Sequence, residues 1–143
     1  VNNNLGAVAL MKGEVDKAKQ LFLSSMGAGD VVNYNLGIIA IMEGDYDAAT
    51  NYLGSTNTVN SALVKLLKDD YDAALATINK VEKESAKKHY VKAVVLANQD
   101  KDSEALQALG MAVSKDADLK AHAKKDMEFA KYFENDEFKS LVE

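Results

Sequence analysis

Apolar residues recur at three- and four-residue spacing through most of the chain, the period of a helix with one face turned inward. In residues 33–53, Leu36, Ile39, Ala40 and Met42 form one such stripe, and Ala48, Ala49, Tyr52 and Leu53 form another. Glu43-Gly44-Asp45 separates them: Gly ends the first helix and Asp caps the next. Gly37 sits in mid-helix, at a cost of about 1 kcal/mol relative to Ala, and is expected where the paired backbones approach, opposite Ala49. The same pattern predicts helices over residues 2–11 and 14–25, 31–42 and 45–53, 59–67 and 70–81, and 85–97 and 102–113, with Asp30 capping the third.

The pairs repeat. Leu5-Gly6, Gly13 and Ala18 return 31 residues later as Leu36-Gly37, Gly44 and Ala49. Asp-Tyr-Asp-Ala-Ala at residues 45–49 returns at 70–74, an offset of 25, and Ala62 and Ala74 return as Ala93 and Ala105, again 31 on. Residues 1–29, 30–55, 56–83 and 84–115 are therefore four repeats of one helix-turn-helix unit within a single helical-repeat domain, 1–143. After Asp116 the pattern changes to three short segments, 117–124, 126–133 and 135–142. Stacked repeats need a terminal element that covers the last apolar face, and Phe129, Tyr132, Phe133, Phe138 and Leu141 suit it.

Asn-Leu-Gly, an aliphatic run, Gly-Asp-Tyr, an Ala and a large apolar residue together resemble the tetratricopeptide repeat, over roughly residues 3–115. The resemblance implies an all-α fold, an α-α superhelix of stacked antiparallel helix pairs with C-terminal capping helices. The chain departs from that family in lacking Trp and Pro altogether, and in Ser61-Ala62 and Lys92-Ala93 where the motif has Leu-Gly. The second-to-third junction is also short.

Composition narrows the work such a fold could do. Hydrophobic residues at 48% and charged residues at 27% are ordinary for a globular chain. All 17 basic residues are Lys and the net charge is −5; without the guanidinium fork that suits phosphate, nucleic acid is not an expected partner. There is no Cys, hence no disulfide or thiolate metal site. No apolar run approaches the 18 or so residues that read as a membrane span. The chain opens inside a repeat and is expected to be a portion of a longer protein. Lys without Arg, the absence of Cys and the repeat style resemble helical-repeat portions of bacterial envelope proteins, with a cytoplasmic location the alternative.

No catalytic constellation stands out, and neither a metal nor a cofactor is expected. His89 and His122 have no ligand spacing around them and are expected on exposed helical surface. Gly27–Asp30 lacks the strand and the Lys-Ser/Thr of a phosphate loop. Asp69, Asp70, Asp72, Asp100 and Asp102 fall at helix starts, where negative charge suits the helix dipole.

The informative surplus lies on the first helices of the pairs. Residues 31–42 are apolar nearly all round. Tyr34, Ile38 and Met42 run along one side; Val59, Leu63 and Leu67 do so in the third repeat, and Tyr90 and Val94 in the fourth. The family resemblance implies that these positions line a concave inner groove. Asn4, Asn35 and Asn60 recur beside the stripe, and a ladder of amides can grip an extended peptide backbone. The lysine clamp that some members of the family use for a C-terminal carboxylate is not reproduced, since Asn3, Ala7, Thr56 and Asn60 stand in its places. The expected function is a non-enzymatic interaction module binding an extended peptide or partner helix. The alternative is a structural or assembly spacer whose groove is filled by its own C-terminal helices or by self-association.

Overall fold

The computed structural model describes residues 1–143 and is helical throughout, with no strands. It divides into two compact units, Val1–Thr56 and Asn57–Glu143.

The first unit holds α1 (Asn2–Met11), α2 (Val15–Leu23), α3 (Asp30–Glu43) and α4 (Tyr46–Leu53). α1 packs on α2, α2 on α3 and α3 on α4. The turns inside the pairs are made the same way. Gly13 and Gly44 take left-handed φ angles of 77° and 76°, the conformation glycine adopts without steric cost. The next amide then reaches back into the helix just ended, Glu14 N to Ala9 O and Asp45 N to Ala40 O, both at 2.9 Å. Asp45 starts α4 by accepting the Ala48 amide at 2.9 Å. Asp30 does not cap α3: it is the first residue of the helix, Gly29 stands before it, and no side chain bonds the open amides.

The glycines of α1 and α3 allow each pair to close, although the contact differs from the expected one. A Cβ on Gly37 would lie 2.6 Å from Leu53 Cγ, and one on Gly6 would lie 2.6 Å from Phe22 Cε1. Gly37 therefore faces the large side chain one turn beyond Ala49, because the helices meet nearer the end of α4. A core cluster of this unit gathers Ala18 and Phe22 of α2 with Val32, Leu36 and Ile39 of α3.

The second unit runs α5 (Val59–Leu67), α6 (Tyr71–Asn79), α7 (Ala86–Asn98), α8 (Asp102–Lys115), α9 (Asp118–Ala123), a 3-10 helix (Met127–Tyr132) and α10 (Asp136–Val142). Its turns repeat the device of the first unit with aspartate in place of glycine. Asp69 and Asp100 sit at φ 58° and 57°, and the following amides return to Lys65 O at 2.9 Å and Leu96 O at 3.0 Å. The two aspartates thus close the preceding helices instead of opening the next ones. Asp70 alone behaves as a cap there, accepting the Ala73 amide.

The C-terminal segment lies on α7 and α8: the 3-10 helix on α7, α10 on α8 and α9. Phe129, Tyr132 and Phe138 are 0%, 4% and 2% exposed, in one cluster with Ala93, Val94 and Leu109. Phe133 and Leu141 are only partly buried against it. The aromatic rings meet at centroid distances of 5.8–6.4 Å within the segment, and Tyr90 meets Phe129 edge-on at 5.5 Å. This arrangement covers apolar surface that α7 and α8 would otherwise leave in water.

Candidate docking face

α1 carries no charged residue, and α3 carries charge only at its ends, Asp30 and Glu43. Helices apolar over so much of their circumference are ordinarily buried; α3 is buried on one side only, and α1 buries only Gly6 and Ala9. Val31, Met42 and Tyr34 of α3 are 62%, 60% and 39% exposed. Ile38, a turn from both Tyr34 and Met42, is half-buried. Of the twelve large hydrophobic side chains exposed in the chain, nine lie in Val1–Thr56. An ion pair borders the face at the end of α3, Lys19 Nζ to Glu43 Oε2, 2.6 Å, which raises the lysine above its usual value through that hydrogen bond.

The asparagines are placed unequally. Asn35 is half-buried and its Nδ2 donates to Asn3 Oδ1 at 3.3 Å, joining α3 to α1, while Asn4 is exposed. The rung in the first unit therefore runs through Asn3, which the repeat spacing did not single out. Asn60 and Leu63 of α5 are both half-buried.

In α7 the face is occupied by the chain itself. Val94 is 6% exposed beneath the C-terminal aromatic cluster. The Tyr90 hydroxyl donates to Asp126 Oδ2 at 2.7 Å, and burial together with that carboxylate pushes the phenol far up. Val94 is buried and Tyr90 half-buried against the C-terminal segment, whose 3-10 helix packs on α7, so neither stands open to a partner as expected. Nearby, burial and the Asp102 carboxylate push the Tyr132 phenol up to about 12, and its hydroxyl donates to Asp102 Oδ1 at 2.6 Å.

The two histidines part company. His122 is exposed, as expected. His89 is buried at 6% exposure, with Nε2 2.7 Å from Glu84 Oε2. The loop before α7 carries Glu84 back over the helix start, so one carboxylate meets both Lys88 and His89. Those hydrogen bonds, Lys88 first, hold Glu84 down to about 2. No nucleophile or third ligand joins the pair, which reads as a satisfied buried polar contact. A polar hollow of about 440 Å³ beside Asp69, Asp72, Asn98 and Lys101 is open to solvent, and Gln99 already bonds Asp72 across it at 2.7 Å.

No protein-family model matches the chain, and no curated protein or solved structure is significantly similar to it.

Proposed function

We propose that this chain is a non-enzymatic interaction module of the tetratricopeptide kind. An apolar peptide or partner helix lies on the face formed by Asn4 of α1 and Tyr34, Asn35, Ile38 and Met42 of α3. The observation that carries the reading is the concentration of exposed apolar side chains in the first unit. Contiguous apolar surface beyond a few hundred Å² marks a recognition site. The near absence of charge on α1 and α3 selects a neutral segment over an acidic or basic one. Asn60 and Leu63 of α5, in the second unit, are a separate candidate contact of the same kind; Val94 leaves the reading because it is buried, and Tyr90 because it is half-buried and bonded to Asp126. The superhelical arrangement implied by the repeat resemblance is part of this proposal, and small-angle scattering of the whole chain tests it.

Peptides selected from a random library on the whole chain, then titrated calorimetrically, provide the functional test. Neutral, apolar-anchored peptides are expected, and Met42→Asp should weaken them at least about tenfold, the effect of losing one buried anchor. Met42 is 60% exposed, so thermal melting should not move. Peptides that bind the Met42→Asp chain equally well would refute the face.

A structural role is the second reading, favoured by one observation: the fourth repeat has spent its open face on its own C-terminal segment. If the first unit does the same with another copy, light scattering across a concentration series will show association that Met42→Asp abolishes.

A further inference from the structure

The second repeat maps onto the fourth. Ala49 returns as Ala105, 56 residues on, and the same step carries Tyr34, Ile38 and Met42 to Tyr90, Val94 and Asn98. The backbone keeps this register: Gly44 and Asp100 correspond, and both follow their helices with a left-handed φ, 76° and 57°. One helix face is thus present twice, covered on α7 and open on α3. Val94 is 6% exposed where Ile38 is half-buried, and Tyr90 is half-buried where Tyr34 is 39% exposed.

The occupant of the α7 face shows what such a face accepts. It is a short stretch of the chain, residues 126–132, centred on Phe129, which is 0% exposed and shares a core cluster with Val94. Phe129 meets the Tyr90 ring edge-on, with centroids 5.5 Å apart and planes at 83°, an arrangement in which the positive edge of one ring faces the negative face of the other. Polar contacts flank it. Glu128 Oε2 accepts from Asn98 Nδ2 at 2.8 Å, and Lys131 Nζ pairs with Asp100 and Asp102 at 2.8 and 2.9 Å. On α3 the apolar part of this seat is kept, as Tyr34 and Ile38. The polar part is gone, since Met42, Gly44 and Tyr46 stand in the places of Asn98, Asp100 and Asp102.

We propose that the α3 face seats an aromatic side chain of a partner peptide, edge-on to Tyr34 and over Ile38, with uncharged residues on either side. The inference rests on the docking reading above and narrows it from apolar ligands in general to an aromatic anchor. Charge complementarity sets the flanks. A carboxylate against Met42 would give up water and gain no donor, and neither Gly44 nor Tyr46 offers a lysine what Asp100 and Asp102 give Lys131.

The probe is the heptapeptide of residues 126–132 with Asp126→Asn, Glu128→Gln and Lys131→Gln, blocked at both ends and titrated to about 1 mM into the whole chain. Proton–carbon spectra follow the methyl groups of Ile38 and Met42, which a ring seated over them shifts by its ring current. Both methyl signals should shift and saturate. Phe129→Leu in the peptide should weaken binding at least about threefold, and Tyr34→Ala in the chain should weaken the Phe peptide more than the Leu peptide. Equal binding of the two peptides, both lost in Met42→Asp, would leave the docking face standing and overturn the aromatic seat. An unaltered 126–132 peptide that binds as tightly as the uncharged one would overturn the proposal too, as would shifts at Val94 in place of Ile38 and Met42. So would no saturable shift at all, an outcome that library-selected peptides weakened by Met42→Asp would separate from failure of the face itself.

Discussion

At the residue scale, the tightest constraint is the absence of a Cβ at Gly37. Alanine there would gain about 1 kcal/mol of helix propensity, but its Cβ would meet Leu53 Cγ at 2.6 Å, and overpacking of this kind costs about 1–3 kcal/mol. The net effect of Gly37→Ala should be a loss of roughly 0–2 kcal/mol in urea denaturation. Adding Leu53→Ala should show favourable coupling of about 0.5–3 kcal/mol in a double-mutant cycle; additive losses would mean that the two side chains do not compete for one space. Asp69 carries the opposite kind of strain. It holds a left-handed φ of 58° that glycine adopts freely, so Asp69→Gly should stabilise by about 0.5 kcal/mol, less whatever the Tyr71 hydroxyl bond to Asp69 contributes. Glu84 supplies a pH signature. Its folded value is depressed from 4.5 to about 2 by Lys88 and then His89, so its contribution is fully present above pH 4.5 and is lost as pH falls toward 2. Denaturation midpoints of the parent and Glu84→Gln should differ above that window and converge through it, whereas a constant difference would show that the carboxylate's charge is not what matters.

At the scale of elements, one turn geometry is used four times, at Gly13, Gly44, Asp69 and Asp100. Two of its four occurrences were legible in the sequence, because Gly announces a left-handed residue and Asp does not. Aspartate before a helix looks the same whether it closes one helix or starts another; Asp45 and Asp70 cap, Asp69 and Asp100 do not, and Asp30 sits one place too late. The helices themselves were legible from apolar periodicity to within a few residues at their ends. The face residues were not separable by the same means. A stripe such as Tyr90 and Val94 has one period whether it meets a partner or a segment of the same chain 36 residues on, and only the Tyr90 to Asp126 bond decides it. Aromatic content after Asp116 was the available clue, and Phe129 confirms its weight. It is fully buried between α7 and the C-terminal rings, so Phe129→Ala should cost about 3–5 kcal/mol. The loss should appear as a lower melting temperature of the second unit, read by loss of helical circular dichroism.

At the scale of the whole molecule, the two units differ in how completely they bury what they present. α7 hides six residues, including the run Ala93–Ala97, and α8 hides six more; α1 hides only Gly6 and Ala9. Since a region's opening free energy follows the apolar surface it gives up to water, protection from hydrogen exchange should be graded along the chain. Amides of α7 and α8 should exchange most slowly and amides of α1 fastest, with α3 between them because α2 covers one of its sides. α1 is also without charged residues that would reward exposure, so its poor burial is uncompensated in the chain as it stands. Mass-resolved exchange of the whole chain makes this one measurement, with α1 at the fast end, α3 between, and α7 and α8 at the slow end. Uniform protection from α1 to α8 would mean that the apolar surface α1 leaves in water costs it nothing, and that burial does not set local stability along this chain.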